Sequence, residues 1–112
     1  MRNPMEKIFE LKDLLSRLDS EGGYFIDFLK AKGMEVGILR LGLDEKDKQE
    51  PHSVDEIYYV IEGNGFIEIN GKDYAIKQGT SIFVPARAMH RFHVTNRDKD
   101  LILLYVLSSH SD

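Results

Sequence analysis

The sequence predicts an all-β domain introduced by one short helix, and three observations carry that reading. From Tyr24 to Leu107 the chain is a succession of short runs rich in Val, Ile, Tyr and Phe, separated by Gly, Pro, Asn and Asp. Asn70-Gly71 stands between two of these runs, and both residues tolerate the positive φ of a type I′ turn, which makes the pair a strong hairpin signal. Helical spacing of apolar residues is found in the N-terminal third, before Gly22-Gly23.

In chain order, Ile8, Leu11, Leu15 and Leu18 recur at steps of three and four, with Leu14 widening the stripe, so an amphipathic helix ends before Gly22-Gly23. Asn3-Pro4-Met5-Glu6 has the form of its capping box; alternatively Lys7 to Phe9 is a short edge strand and the helix begins nearer Leu11. Tyr24 to Leu29 and Met34 to Leu41 read as strands before the linker-like Asp44-Glu45-Lys46-Asp47-Lys48. Pro51 and the run Ile57 to Ile61 describe a loop feeding a strand, in which Glu56, Tyr58 and Val60 share one side and Ile57, Tyr59 and Ile61 the other. Both faces are apolar, so this strand is central.

Gly63-Asn64-Gly65 turns the chain into Phe66 to Ile69, the Asn-Gly hairpin returns it through Lys72 to Lys77, and Gln78-Gly79 leads to Ser81 to Val84. Pro85-Ala86 stops that run before Met89 to Val94; Asn96 to Asp100 is a charged turn, and Leu101 to Leu107 is a last, wholly apolar strand. Residues 1–22 are thus expected to pack as a helical or edge segment on a single β domain of residues 23–108, with a polar tail at 109–112.

One pattern in this scaffold carries chemistry. His52, Glu56 and His90 can assemble a two-histidine, one-carboxylate face, a donor set that suits first-row divalent metals and leaves coordination positions open. Around these residues the chain resembles the cupin superfamily, whose paired motifs read G-x5-H-x-H-x3-4-E-x6-G and G-x5-P-x-G-x2-H-x3-N. His52, Glu56 and Gly63 match the first motif and Gly79, Pro85 and His90 the second, all at the motif spacing. Glu50 stands where the first histidine belongs, Asp44 replaces the opening glycine, Arg87 the inner glycine and Val94 the asparagine.

The resemblance implies a double-stranded β-helix, or jelly-roll, barrel holding a divalent transition metal (Fe, Mn, Ni, Cu or Zn). His52, Glu56 and His90 are its expected ligands. Glu50 alternates with His52, so their side chains point the same way, and Glu50 is either a fourth ligand, a catalytic proton carrier or a solvated loop carboxylate. Tyr58 and Phe92 share the ligand-bearing sides of their strands and are expected to line the substrate pocket, although a core position is the commoner fate of an aromatic. His93 opposes His90 in strand phase and belongs on the surface or at an interface; His110 falls in the polar tail; Arg40 and Arg87 read as exposed by default, with binding of an anionic substrate the alternative.

Composition narrows the function. At 112 residues the chain is long enough to bury roughly two-thirds of its unfolded surface in one core. With no cysteine, disulfides, thiolate ligands and thiol nucleophiles are excluded. A net charge of −4 without a basic block disfavours nucleic acid or an anionic membrane as partner, and a small-molecule ligand fits better. No apolar run approaches the roughly 20 residues of a membrane span, and Met1 to Glu10 is too charged for a signal-peptide core, which points to the cytoplasm.

Ile57, Tyr59 and Ile61 point outward and need cover from a second sheet, the N-terminal helix or another subunit, and the resemblance to small cupins implies a homodimer through this surface. The leading functional expectation is a metal-dependent, dioxygenase-like enzyme on a small organic molecule. Its alternatives are a non-catalytic cupin that binds or senses a metabolite or metal, and a metal-free isomerase or epimerase with His52 or His90 as base and Tyr58 as acid.

Overall fold

Period-two burial along the strands decides which residues meet in the core. In β3 (Glu56–Glu62) Glu56, Tyr58 and Val60 are buried while Ile57 and Tyr59 face outward, the phase expected from the sequence. β8 (Leu101–Ser108) turns Leu101, Leu103, Tyr105 and Leu107 inward and Ile102, Leu104 and Val106 outward. Two of its outer residues, Ile102 and Leu104, also pack against apolar neighbours, which accounts for much of a strand that is apolar throughout.

The structure is a computed structural model that describes residues 6–108. Helix α1 (Leu11–Glu21) precedes β1 (Phe25–Ala31) and β2 (Met34–Leu41); after β3 come β4 (Asn64–Ile69), β5 (Lys72–Lys77), β6 (Ser81–Val84), β7 (His90–Val94) and β8. Two antiparallel sheets result, one ordered β1-β2-β8-β3-β6 and the other β5-β4-β7, with the main core of Leu39, Leu41, Tyr58, Val60, Ile67, Phe92 and Leu103 between them. This is a jelly-roll β-barrel with one short helix. β3 lies between β8 and β6, a central strand as its two apolar faces require.

The helix covers part of the outer face of the five-stranded sheet. Leu14 and Leu18 are buried against Ile26, Ile38 and Ile102, with Ile61 packed alongside, and Arg40 ties β2 to the helix through Asp19 at 2.5 Å. Of the two N-terminal boundaries, the later one is found. The helix starts at Leu11 with Glu10 as an N-cap that makes no side-chain bond, so Ile8 falls outside the stripe and is 88% exposed. Lys7 to Phe9 is irregular rather than an edge strand, having no strand beside it to complete a ladder. The Asn3 to Met5 part of the capping box, and the tail with His110, lie outside the described residues.

Two turns differ instructively. Asn70 and Gly71 both take positive φ, 48° and 85°, as a type I′ hairpin demands. The expected Gly63-Asn64-Gly65 turn contracts to Gly63 alone, at φ 90°, because the chain does not fold back there but passes from one sheet to the other, and Asn64 already pairs with Lys77. A side chain at Gly63 would overlap the carbonyl of Asp100.

Candidate metal centre

The three expected ligands come from three segments that the barrel brings together at its mouth. Glu56 opens β3 in one sheet, His90 opens β7 in the other, and His52 sits in the loop before β3. That loop is laced to the Pro85–Ala88 turn: the Arg87 N–H donates to the His52 carbonyl at 2.6 Å and the Ala86 N–H to Asp55 Oδ1 at 2.9 Å. Arg87, standing where the family motif has glycine, takes φ 69°, a left-handed conformation that glycine adopts most readily.

Glu56 Oε1 lies 3.7 Å from His52 Nε2 and 3.5 Å from His90 Nε2, and one donor atom from each of the three residues falls within 4.8 Å of the others. Donors that share an ion at roughly 2.0–2.2 Å stand about 3–3.5 Å apart, so the cluster is close to the spacing a metal requires. Glu56 Oε1 is buried and has no hydrogen-bond partner among the described residues. An orphaned carboxylate oxygen between two imidazoles is a costly arrangement unless a cation completes it.

Second-sphere contacts prepare His90 to ligate. Its Nδ1 is 3.1 Å from the Ala88 carbonyl, which can only accept, so Nδ1 carries the proton and Nε2 presents its lone pair toward Glu56. The Tyr58 hydroxyl is 3.1 Å from that Nε2 and 3.0 Å from Gln49 Oε1. Its single proton cannot serve both acceptors, so a metal ion taking the Nε2 lone pair would leave the hydroxyl to Gln49.

Burial pushes Glu56 up to about 7; the Asp47 charge adds to this and the Tyr58 hydroxyl opposes it. Burial, with the neighbouring His90, lowers His52, against the opposing pull of Asp27, Glu35 and Asp47. Burial also raises Tyr58, which therefore holds its proton.

Glu50 is exposed and lies outside the three-residue cluster, at the rim of a cavity of about 330 Å³ that it shares with His52 and Glu56. Tyr58 and Phe92 are core residues: fully buried, packed edge to face at 4.8 Å behind the ligands, and not on that cavity's wall. The cavity opens toward β1, β2 and β8 instead, so its aromatic lining is Tyr24, Phe25 and Tyr105. Phe92 borders a larger concavity of about 760 Å³, beneath residues 43–51, that holds none of the three ligands. His93 is on the surface, stacked on Phe66 beside Glu68.

Two residues escaped the sequence reading. Asp47, placed in a linker, is 3% exposed and accepts hydrogen bonds from the Phe92 N–H at 2.9 Å, the Gln49 N–H at 3.1 Å and Gln49 Nε2 at 2.9 Å. β7 is an edge strand, so Phe92 has no strand to receive its outward N–H, and Asp47 replaces one. Gln49, held by Asp47, in turn positions the Tyr58 hydroxyl beside His90. Among neighbours as polar as Lys46, Lys48 and Glu50, neither residue carries a distinguishing signal in sequence.

Comparison with known proteins agrees with the fold. The chain is 29% identical over 99 residues to an uncharacterised protein of Streptomyces coelicolor, covering 88% of this chain and 94% of that one. It is 29% identical over 59 residues to dimethylsulfoniopropionate lyase DddW of Ruegeria pomeroyi, covering 53% of this chain and 39% of the lyase. A crystal structure of a cupin protein from Bacteroides fragilis superimposes with a TM-score of 0.70 at 18% identity, over 96% of this chain and 86% of that one, which establishes likeness of fold. Residues 38–107, which span both sheets and all three clustered donors, match the Cupin domain family; the chain belongs to the cupins.

Proposed function

We propose that the protein is a divalent-metal-dependent enzyme acting on a small organic molecule, with dioxygenase-like oxidation the reaction its ligand face suits best. The observation that carries this reading is Glu56 Oε1, buried, unpartnered and set between two imidazole nitrogens beside an open cavity. When bound, an iron, manganese, nickel, copper or zinc ion supplies Lewis acidity and, if redox-active, electron exchange with substrate and dioxygen. His52 and His90 hold the ion as neutral ligands, and Glu56 neutralises part of its charge. Tyr58 keeps its proton toward Gln49, and Glu50 at the rim is placed to move protons to and from solvent.

The test is turnover of small organic molecules by metal-reconstituted protein, followed by product analysis and oxygen uptake. His52→Ala and His90→Ala should lose metal and turnover together. A ligand that binds and is recovered unchanged marks a sensing cupin instead.

One observation favours a second reading. A carboxylate raised to about 7 on the cavity wall is poised as a general base, so a metal-free isomerisation or elimination would use Glu56 directly, whereas Tyr58, buried behind the ligands, is out of reach as the acid. The similarity to a lyase over 59 residues supports non-oxidative chemistry on this scaffold. Full activity of chelator-treated protein would establish this reading and end the first.

We also propose that two copies pair through the outer face of the five-stranded sheet. Register places Val36, Val106, Ile57 and Phe83 in one row across β2, β8, β3 and β6, and Ile57, Tyr59 and Phe83 remain 47%, 46% and 60% exposed. Contiguous apolar surface of this kind is uncommon on a monomer.

A further inference from the structure

Away from the metal ligands, the 330 Å³ cavity changes character. Its far wall, built by β1, β2 and β8, carries Asp27 and Glu35, and Lys48 is the single Lys or Arg among all the residues lining it. Phe25 shares the cavity side of β1 with Asp27 and is 48% exposed, with the Tyr24 ring edge-on at 5.4 Å. The Tyr105 hydroxyl donates to Asp27 Oδ1, fixing that carboxylate at the wall. This contact depends on Gly37, over which the Tyr105 ring lies; a Cβ there would overlap ring and hydroxyl alike. Glu35 is only loosely engaged, its nearest cation being Lys30 at 3.9 Å.

Fixed carboxylates beside an uncovered aromatic ring form a surface that attracts organic cations, through charge and through the ring face together. Glu56 Oε1, on a residue 2% exposed and without a hydrogen-bond partner among the described residues, borders the same cavity and calls for positive charge at the ligand end. With Glu50 at the rim, the lining carries four carboxylates, Asp27, Glu35, Glu50 and Glu56, against the one lysine, Lys48. A purely anionic substrate would meet like charge on the far wall.

We infer that the Asp27–Glu35–Phe25 end of this cavity receives the cationic head of a small organic substrate, an ammonium or quaternary ammonium, whose other end offers an oxygen to the His52–Glu56–His90 centre. The inference rests on the metal-centre reading above, which supplies the partner for that oxygen. Asp27 and Glu35 are positioning residues for the cation, and Tyr105 orients Asp27.

The experiment is calorimetric titration of the zinc-loaded full chain with choline and with 3,3-dimethylbutan-1-ol, in which carbon replaces the charged nitrogen at unchanged shape. Choline should bind about tenfold more tightly. In Asp27→Asn/Glu35→Gln that ratio should fall to near unity with zinc content unchanged. Glu35→Gln alone, in which the Tyr105–Asp27 contact is intact, should lower it partway. Equal affinities for the two probes, no detectable binding of either, or a ratio that survives in the double variant would overturn the inference while leaving the metal centre intact. If the wild type takes up no zinc, the metal reading fails by itself. The same titration of the metal-free protein then decides: a choline preference lost in the double variant supports the cationic end, and its absence overturns it.

Discussion

Replacing Glu56 by Gln should stabilise the metal-free protein while destroying its metal site. Burial raises the carboxyl from its ordinary 4.5 to about 7, so above that pH the folded state holds a charge that water would hold more cheaply. Each tenfold change in proton affinity is worth about 1.4 kcal/mol, which sets the destabilisation by the ionised carboxylate at about 3 kcal/mol. The glutamine amide adds donors that need partners, which offsets about 1 kcal/mol and leaves about 2 kcal/mol in favour of the variant. The sign follows from proton counting. Between pH 4.5 and about 7 the folded chain keeps a proton that the unfolded chain has released, so wild-type stability falls as pH rises through this window. Urea denaturation in the presence of chelator should therefore find the two proteins close near pH 4.5 and the variant more stable at pH 8. Added metal should raise the wild-type midpoint and leave the variant's unchanged. A variant less stable than wild type at pH 8 in chelator would refute the reasoning, because Glu56 would then be held by favourable contacts rather than orphaned.

Other consequences are equally direct. Asp47→Ala removes the acceptor for a buried strand N–H and for Gln49, and should cost about 3 kcal/mol in urea denaturation while weakening metal affinity through the freed Tyr58 hydroxyl. Arg87→Gly relieves a left-handed residue, against a larger loss of backbone entropy for glycine, and should stabilise by about 0.5–1 kcal/mol in thermal unfolding. Ile57→Glu/Phe83→Glu should turn a dimer in light scattering into a monomer with metal content unchanged; a wild type that is already monomeric at micromolar concentration contradicts the pairing.

Much of the scaffold is legible because local patterning and tertiary demand agree. β2, β5 and β6 begin and end where alternation and turn residues place them, and Asn70-Gly71 forms the turn its backbone freedom favours. The three clustered donors were legible for a different reason: motif spacing along the chain is converted into proximity by the barrel. What stayed hidden depends on sheet order. That Phe92 needs an acceptor follows from β7 being an edge strand, which strand composition does not encode, so Asp47 and Gln49 looked like any charged loop. Strand phase correctly turned Tyr58 and Phe92 inward but could not tell core from cavity, since both lie on the inner face of the sheets. Ile8 fitted the helical stripe, yet a helix beginning at Leu11 leaves it without a surface to cover.

The central claim is that His52, Glu56 and His90 hold a metal ion. Its most direct test is metal content by mass spectrometry on protein purified without a histidine tag or chelator, wild type against His90→Ala. Near-stoichiometric transition metal in the wild type and none in the variant is the predicted result. A wild type that stays metal-free after reconstitution, or a variant that retains the full complement, would contradict the account.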